Sequence, residues 1–320
     1  MTLTFPGVRE TVTMGGISAG RRREADHREG WGSSMQARSA LFDLYGDYLR
    51  PRGGRAPVAA LVRLLAPLGI AAPAVRTAVS RMVRQGWLHP LRLSSGPGYL
   101  LTPKGARRMD EAAARIYRTS RVDWDGSFDL VVIESPAQRG DRARIAGNLA
   151  FLGYGSIDDS TWVATRAADE VDSLLDESGL RYERFTATHA AGTLGAIAMV
   201  RRAWNLDQIG SAYERFVREL RPVVNAVTEH SSDEECYAAR FRLVHAWRTF
   251  LFSDPQLPPA LLPPRWPGSA AAAFFDRHAG RLRPAADQYV DLCLEQSSRT
   301  LAARHLPRTP MKGVAHEPGR

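Results

Sequence analysis

Three arginines recur on one side of a short segment, residues 75–88 (VRTAVSRMVRQGWL), with no carboxylate near them. Their spacing would place Arg76, Arg81 and Arg84 on the polar side of an α-helix. A solvated helix face normally mixes both signs, because like charges at helical spacing repel by a few tenths of a kcal/mol per pair. A face of one sign is typical of a helix that meets a partner of the opposite charge.

The wider segment also lacks acidic side chains. The 62 residues between Asp47 and Asp110 contain ten arginines and one lysine but no aspartate or glutamate. The whole chain has a formal charge of +9, and outside this segment it has 32 basic and 34 acidic residues. The positive charge therefore belongs to one segment, and such a concentration indicates a module that binds a polyanion.

Hydrophobic periodicity places these arginines within a series of helices. The sequence predicts a first helix over residues 39–49 and a second over residues 57–69. The apolar stripe of the second helix is predicted to be Val58, Leu61, Leu65 and Leu68. A third helix is predicted to begin near Pro73 and to bury Val75, Val79, Met82 and Val83. Residues 87–102 then predict two short strands around a Ser-Ser-Gly-Pro-Gly turn.

Helix, helix, tight turn, helix and hairpin is the order of a winged helix-turn-helix domain. The third helix of such a domain lies in the DNA major groove, where arginine can bind guanine and threonine or serine can reach bases or phosphates. The predicted reading residues are Arg76, Thr77, Ser80, Arg81 and Arg84. The predicted phosphate contacts are Arg92, Lys104, Arg107 and Arg108. The alternative is that these arginines are only the solvated side chains of a surface helix.

The rest of the chain predicts two further domains and gives an α+β fold class overall. Strands and helices alternate after Trp124, which favours a central ferredoxin-like α/β domain, and the last third is helical. The predicted divisions are a disordered tail over 1–35, the winged helix-turn-helix domain over 36–120, the ferredoxin-like domain over 121–203, a C-terminal helical domain for ligand sensing and dimerisation over 204–300, and a flexible tail over 301–320.

Catalytic and metal-binding patterns are not convincing in this sequence. No set of paired carboxylates, nucleophile and base, or clustered metal ligands stands out, so we expect neither an enzyme nor a cofactor or metal. Cys236 and Cys293 are predicted to be packing residues. His245 stands between Arg242 and Arg248, where it could hold an anionic ligand or simply pack in a helix. Without a membrane span or signal peptide, we expect a cytoplasmic protein.

Two long motifs resemble the PaaX family, bacterial repressors of phenylacetic acid catabolism. One is LFDLYGDYLRPRGGRAPVAALVRLLAPLGIAAPAVRTAVSRMVRQGWL, continued by YLLTPKGARRMDEAAARIYR. The other is RFRLVHAWRTFLFSDPQLPPALLPPRWPG. Between them, DWDGSFDLVVIE and LGYGS stand where the family has a ferredoxin-like domain similar in shape to small CRISPR-associated nucleases. The resemblance covers about residues 36–295.

The resemblance implies a regulator of double-stranded operator DNA, usually a homodimeric repressor that an aryl-CoA thioester such as phenylacetyl-CoA releases. Because a CoA phosphate needs positive partners, the candidate effector-binding residues are Arg240, Arg242, His245 and Arg248. Two other classes stay open. One is a nuclease-like or thioesterase-like enzyme that docks on nucleic acid, and the other is an architectural DNA binder without sequence preference. The sequence identifies neither the operator nor the pathway.

Overall fold

The computed structural model describes residues 2–3, 12–13, 35–116, 124–134 and 139–304 of the 320-residue chain. The predicted tails, residues 1–35 and 301–320, lie mostly outside this part. Two short strands, Thr2–Leu3 (β1) and Val12–Thr13 (β2), pair antiparallel. No helix in the described part is long and apolar enough to cross a bilayer.

The N-terminal unit is built from four helices and a small sheet. In chain order its elements are α1 (Ala37–Leu44), which continues into a π-helical turn over Tyr45–Leu49, β3 (Arg55–Pro57), α2 (Val58–Leu65), α3 (Ala72–Arg84), β4 (Leu88–Leu93), β5 (Gly96–Leu101) and α4 (Pro103–Ile116). The three strands form an antiparallel sheet in the order β3-β5-β4. The predicted helices and hairpin are therefore present, whereas the sequence did not predict β3.

The buried side of α2 differs slightly from the predicted stripe. Leu61 and Leu65 are buried as predicted, and Leu64 is buried with them. Val58 and Leu68 are only half-buried. The α-helix ends at Leu65, and the next three residues form a 3₁₀ turn, whose tighter winding shifts Leu68 away from the stripe.

The central unit is a four-stranded antiparallel sheet with helices on both faces. Its elements are β6 (Ser127–Ile133), α5 (Arg139–Phe151), β7 (Gly155–Ser156), β8 (Thr161–Ala164), α6 (Glu170–Glu177), β9 (Tyr182–Thr188) and α7 (Gly192–Ala203). The strand order is β7-β8-β6-β9. Val131 and Ile133 pack on the side of α5 and α6, and Phe128 packs with Ala196 and Val200 of α7 on the other side. The sequence prediction missed α7.

Three helices make up the C-terminal unit: α8 (Leu206–Asn225), α9 (Asp233–Arg248) and α10 (Pro267–Arg304). Ser232 caps α9 by accepting a hydrogen bond from the Glu235 backbone N–H, while the Glu235 carboxylate accepts one from the Ser232 N–H. Cys236 and Cys293 are both buried, as predicted for packing residues.

One hydrophobic core joins the N-terminal and C-terminal units. Tyr48 lies 5.4 Å from Tyr237 between ring centroids and stacks on Phe241 at 6.4 Å. Tyr289 and Val290 of α10 belong to the same cluster of buried residues. Because packed interiors do not deform continuously, this shared core holds the two units in a defined relative orientation. The predicted mixture of helices and sheets is confirmed.

Candidate nucleic-acid interface

The polar side of α3 lies on the protein surface. Val75, Val79 and Met82 are buried as predicted, Ala78 is buried with them, and Val83 is half-buried. The side chains exposed on the opposite side are Arg76, Thr77, Ser80, Arg81 and Arg84. The helix packs against α1, so its inner side is committed to the core and its outer side is left to solvent.

This outer side carries charge of one sign. Arg76, Arg81 and Arg84 form no ion pair with any residue that the structure describes. The Thr77 hydroxyl donates a hydrogen bond to the Pro73 carbonyl oxygen one turn earlier, at 3.0 Å. The exposed surface of α3 thus presents three guanidinium groups that no described residue neutralises, with two small hydroxyl residues among them.

The end of α3 is joined tightly to the hairpin. Gly86 adopts a positive φ of 70°, which a residue without Cβ accepts easily, and the Trp87 N–H donates back to the Met82 carbonyl at 2.9 Å. The Thr102 hydroxyl donates to the Gly86 carbonyl at 2.7 Å and accepts from the Gly105 N–H at 3.1 Å. These bonds fix the end of α3, the base of the hairpin and the start of α4 relative to one another.

The predicted phosphate contacts lie on the hairpin and on α4. Arg92 of β4 and Arg107 of α4 are exposed, and Lys104 is half-buried. Arg108 belongs to α4, but its side chain lies outside the described part of the structure. Arg92 and Arg107 form no ion pair within the described residues. Exposed arginines are therefore present on β4 and α4 as well as on α3.

Not all arginines of the acid-free segment belong to that surface. Arg52 binds Asp291 through Nε at 2.6 Å and also contacts Asp287, both in α10. Arg63 donates to the Cys293 carbonyl oxygen at 3.2 Å. These two side chains attach the N-terminal unit to the C-terminal helices, a role that their position in the sequence did not reveal.

The four candidate effector residues also lie at the contact between these two units. Arg240 is only 2% exposed. It donates to the Ala279 carbonyl oxygen at 3.0 Å, to the Tyr48 hydroxyl at 2.7 Å and to the Asp47 carboxylate. Burial raises the pKa of Tyr48, so its hydroxyl stays protonated. Arg242 donates to the Pro67 carbonyl oxygen at 3.3 Å.

His245 and Arg248 share one buried carboxylate. His245 Nδ1 lies 2.5 Å from Asp43 Oδ2, and Arg248 lies 2.7 Å from Asp43 Oδ1. Arg248 also donates to the Ser39 hydroxyl at 2.5 Å. A carboxylate only accepts hydrogen bonds, and an imidazole can donate one to it from Nδ1. The structure thus brings His245 and Arg248 together at Asp43, and each of the four candidates has a partner in the N-terminal unit.

Sequence reasoning missed the carboxylates of this contact. Asp43 and Asp47 stand four residues apart on α1 and the turn that continues it, so they share one face. Their side chains are 4% and 8% exposed. The available signal was two acidic residues at helical spacing among apolar ones, just before the acid-free segment. Their partners lie some 200 residues later in the chain, where no local pattern indicates them.

The carboxylate that is buried in the central sheet also has structural partners. Asp129 accepts from Arg184 Nε at 2.9 Å and from the Tyr154 hydroxyl. Arg184 reaches on to Asp172 at 2.5 Å. Within the described residues, no three His, Cys, Asp or Glu side chains are grouped as a metal site would require. Asp129 therefore serves as the centre of an internal hydrogen-bond network.

Comparisons with known proteins cover all three units. The family model "PaaX-like protein" matches residues 36–105, "PaaX protein central Cas2-like domain" matches 121–196, and "PaaX-like protein C-terminal domain" matches 204–292. The chain is 30% identical over 260 residues to the transcriptional repressor PaaX of Escherichia coli (strain K12), covering 79% of this chain and 82% of the relative.

A solved structure shares the fold. It is the uncharacterized protein Rv0674 from Mycobacterium tuberculosis, which is 21% identical, with a TM-score of 0.52 and coverage of 79% of this chain and 98% of the other. At that identity the likeness shows the fold alone. The three family models match this chain in the order and positions of the units described above. Together with the identity to the E. coli protein, these matches show that this chain belongs to the PaaX family.

Proposed function

We propose that this chain is a non-enzymatic transcriptional repressor that binds operator DNA through a winged helix-turn-helix domain in residues 36–120. The observation that carries the proposal is the exposed side of α3, where Arg76, Arg81 and Arg84 have no carboxylate partner among the described residues. The name of the E. coli relative, a transcriptional repressor, supports the same function.

The architecture of the N-terminal unit fits this mode of binding. α2 and α3 are joined by the 3₁₀ turn after Leu65 and by residues 69–71, and the β4–β5 hairpin follows three residues after α3. In a helix-turn-helix the second helix of the pair enters the major groove, and here that helix is α3. Arg92 on the hairpin and Arg107 on α4 would then reach phosphates beside the groove.

Recognition of the promoter sequence should depend on the side chains of α3 more than on basic side chains elsewhere in the protein. The test is fluorescence anisotropy with promoter DNA of the protein's own operon against scrambled DNA, at a fixed salt concentration near physiological. Arg81→Ala should cost about 1–3 kcal/mol on the promoter, the usual loss of one base-reading contact. The matched control is Arg218→Ala, which removes an exposed arginine of α8 that has no ion-pair partner in the described part of the chain, and it should leave the affinity unchanged. Equal losses on both DNAs would instead indicate an architectural binder.

The central unit fits a ferredoxin-like domain, because its elements follow the order β-α-β-β-α-β and its sheet is antiparallel.

We further propose that an aryl-CoA thioester releases the protein from DNA and that the protein assembles as a homodimer. We keep Arg240, Arg242, His245 and Arg248 as candidate effector residues. To bind a CoA phosphate, His245 and Arg248 would have to leave Asp43, so that ligand binding would loosen the attachment of α1.

Such a ligand would act through its different affinity for the attached and the loosened states. Adding phenylacetyl-CoA to the anisotropy experiment tests this step. A promoter affinity that falls as the thioester saturates supports release, and an affinity that is indifferent to the thioester contradicts it without affecting the DNA-binding part of the proposal.

A further inference from the structure

The outer strand of the central sheet, β9, has a long free edge in the described part of the chain. Its seven residues pair on one side with β6, from Tyr182 opposite Ile133 to Thr188 opposite Ser127, and the sheet ends there. An edge strand exposes backbone N–H and C=O groups that can pair with another strand, and proteins usually shorten, charge or cover such edges. β7, at the other end of the sheet, is only two residues long.

The side chains of β9 leave an aromatic ring exposed at the middle of this edge. Tyr182 and Arg184 point to the α5 and α6 side, where Arg184 is bound to Asp129 and Asp172. Phe185 points to the opposite side and is 48% exposed, next to Leu130 of β6. The strand contains no proline, and its one exposed carboxylate, Glu183, is not at its centre. The edge is therefore long, apolar at its centre and weakly protected.

We propose that β9 pairs antiparallel with β9 of a second copy of this chain, across a two-fold axis at Phe185. The inference rests on the proposed homodimer and names the surface that forms it. In this register each Phe185 faces its counterpart, Arg184 faces Thr186, and Glu183 faces Ala187. Aromatic cross-strand pairs are stabilising, and no like charges stand opposite one another.

Other two-fold registers of the same strand fit less well. A register centred on Arg184 would place two guanidinium groups opposite each other, and like charges directly opposite are destabilising. A register centred on Thr186 would separate the two Phe185 rings. A two-fold interface uses the same patch on both subunits, and β9 in the proposed register is complementary to itself in this sense. The pairing would join two four-stranded sheets into one of eight strands.

Disulfide trapping tests both the surface and the register. In Phe185→Cys the two new thiols face each other across the axis, with Cα atoms about 4.5–5.5 Å apart, which a disulfide can span. In the control, Ala187→Cys, the two thiols lie about 13 Å apart along the strands, too far for a disulfide. Both native cysteines are buried, so they do not compete. Mild oxidation should convert most of the full-length Phe185→Cys protein, and little of the Ala187→Cys protein, to a covalent dimer on a non-reducing gel.

Sedimentation of the wild-type protein tests the homodimer separately from the pairing of β9. A wild-type dimer together with cross-linking of Phe185→Cys alone supports the pairing of β9. A wild-type dimer in which Phe185→Cys does not cross-link, or cross-links no better than Ala187→Cys, overturns the β9 surface while the homodimer stands. A wild type that stays monomeric both free and on the operator overturns the homodimer itself.

Discussion

Arg240 of α9 donates a hydrogen bond to the carboxylate of Asp47, 193 residues earlier in the chain, and both side chains are almost fully buried. Moving two charges out of water is costly, and the cost is offset only when hydrogen bonds satisfy both groups. Here the Tyr48 hydroxyl, the Ala279 carbonyl and Arg283 complete the network. The result is a specific polar contact, within a hydrophobic core, between the N-terminal unit and the C-terminal helices.

Removing the carboxylate of this pair should destabilise the whole protein. Asp47→Ala would leave the buried Arg240 without its counter-charge, and we expect a loss of about 3–5 kcal/mol in the free energy of unfolding. Urea unfolding followed by circular dichroism measures this loss. Glu214→Ala, which removes an exposed carboxylate of α8, should change stability by less than about 0.5 kcal/mol. A similar small effect for Asp47→Ala would show that the pair does not hold the two units together.

Close packing inside the hairpin predicts that β5 does not tolerate a side chain at Gly98. A Cβ there would lie 2.5 Å from the Leu93 side chain and 2.9 Å from the Ala56 carbonyl oxygen. Gly98→Ala should therefore cost about 1–3 kcal/mol through overpacking, measured by thermal or urea unfolding. Gly280→Ala is the control, because a Cβ at that position of α10 meets nothing within 4 Å and alanine favours the helix by up to about 1 kcal/mol.

His278 should lower the stability of the protein as the pH drops below the ordinary pKa of histidine. Burial lowers the pKa of His278 from its usual 6.5, and Arg281, Arg277 and Arg221 lower it further. The unfolded chain then binds this proton more readily than the folded chain, so the contribution is complete above about pH 6.5 and is lost at lower pH.

A variant without a titrating group isolates this contribution. His278→Phe keeps an aromatic ring against Phe274, whose centroid lies 4.6 Å from that of His278. The urea midpoint of the wild type should decrease more between pH 7 and pH 5.5 than that of His278→Phe. Parallel decreases in the two proteins would mean that other groups account for the pH dependence.

Phosphate contacts should be recognisable by their dependence on salt. Arg107 is exposed on α4 and unpaired within the described residues, so in the proposed function it faces the DNA backbone. Arg107→Ala should weaken binding to promoter and scrambled DNA alike and reduce the slope of log K against log salt concentration by about 1. Anisotropy titrations between about 50 and 200 mM salt measure the slope. A loss confined to the promoter would instead make Arg107 a base-reading residue.

Features that depend on neighbouring residues were determined by the sequence itself. The outer face of α3, with Arg76, Arg81 and Arg84, follows from helical periodicity, because burying Val75, Val79 and Met82 turns the arginines outward. The β4–β5 hairpin likewise follows from a local turn signal between two short apolar runs. The resemblance to the PaaX family also lay in contiguous motifs, and the matches to its three domains confirm it.

Features that depend on distant pairing were decided by the tertiary structure. β3 is a strand only because β5, some 40 residues later, pairs with it. Helix α7 contains two glycines, Gly192 and Gly195, together with β-branched residues, so its sequence is a weak helix signal. Its packing through Ala196 and Val200 on the central sheet stabilises it.

The candidate site also depends on pairing between distant residues, because Asp43 and Asp47 contact arginines of the C-terminal unit. The sequence singled out Arg240, Arg242, His245 and Arg248 from their charge, but a charge pattern does not identify the partner of each side chain. Electrostatic energy depends on distance and burial, and both were set when α1 packed against α9 across nearly two-thirds of the chain.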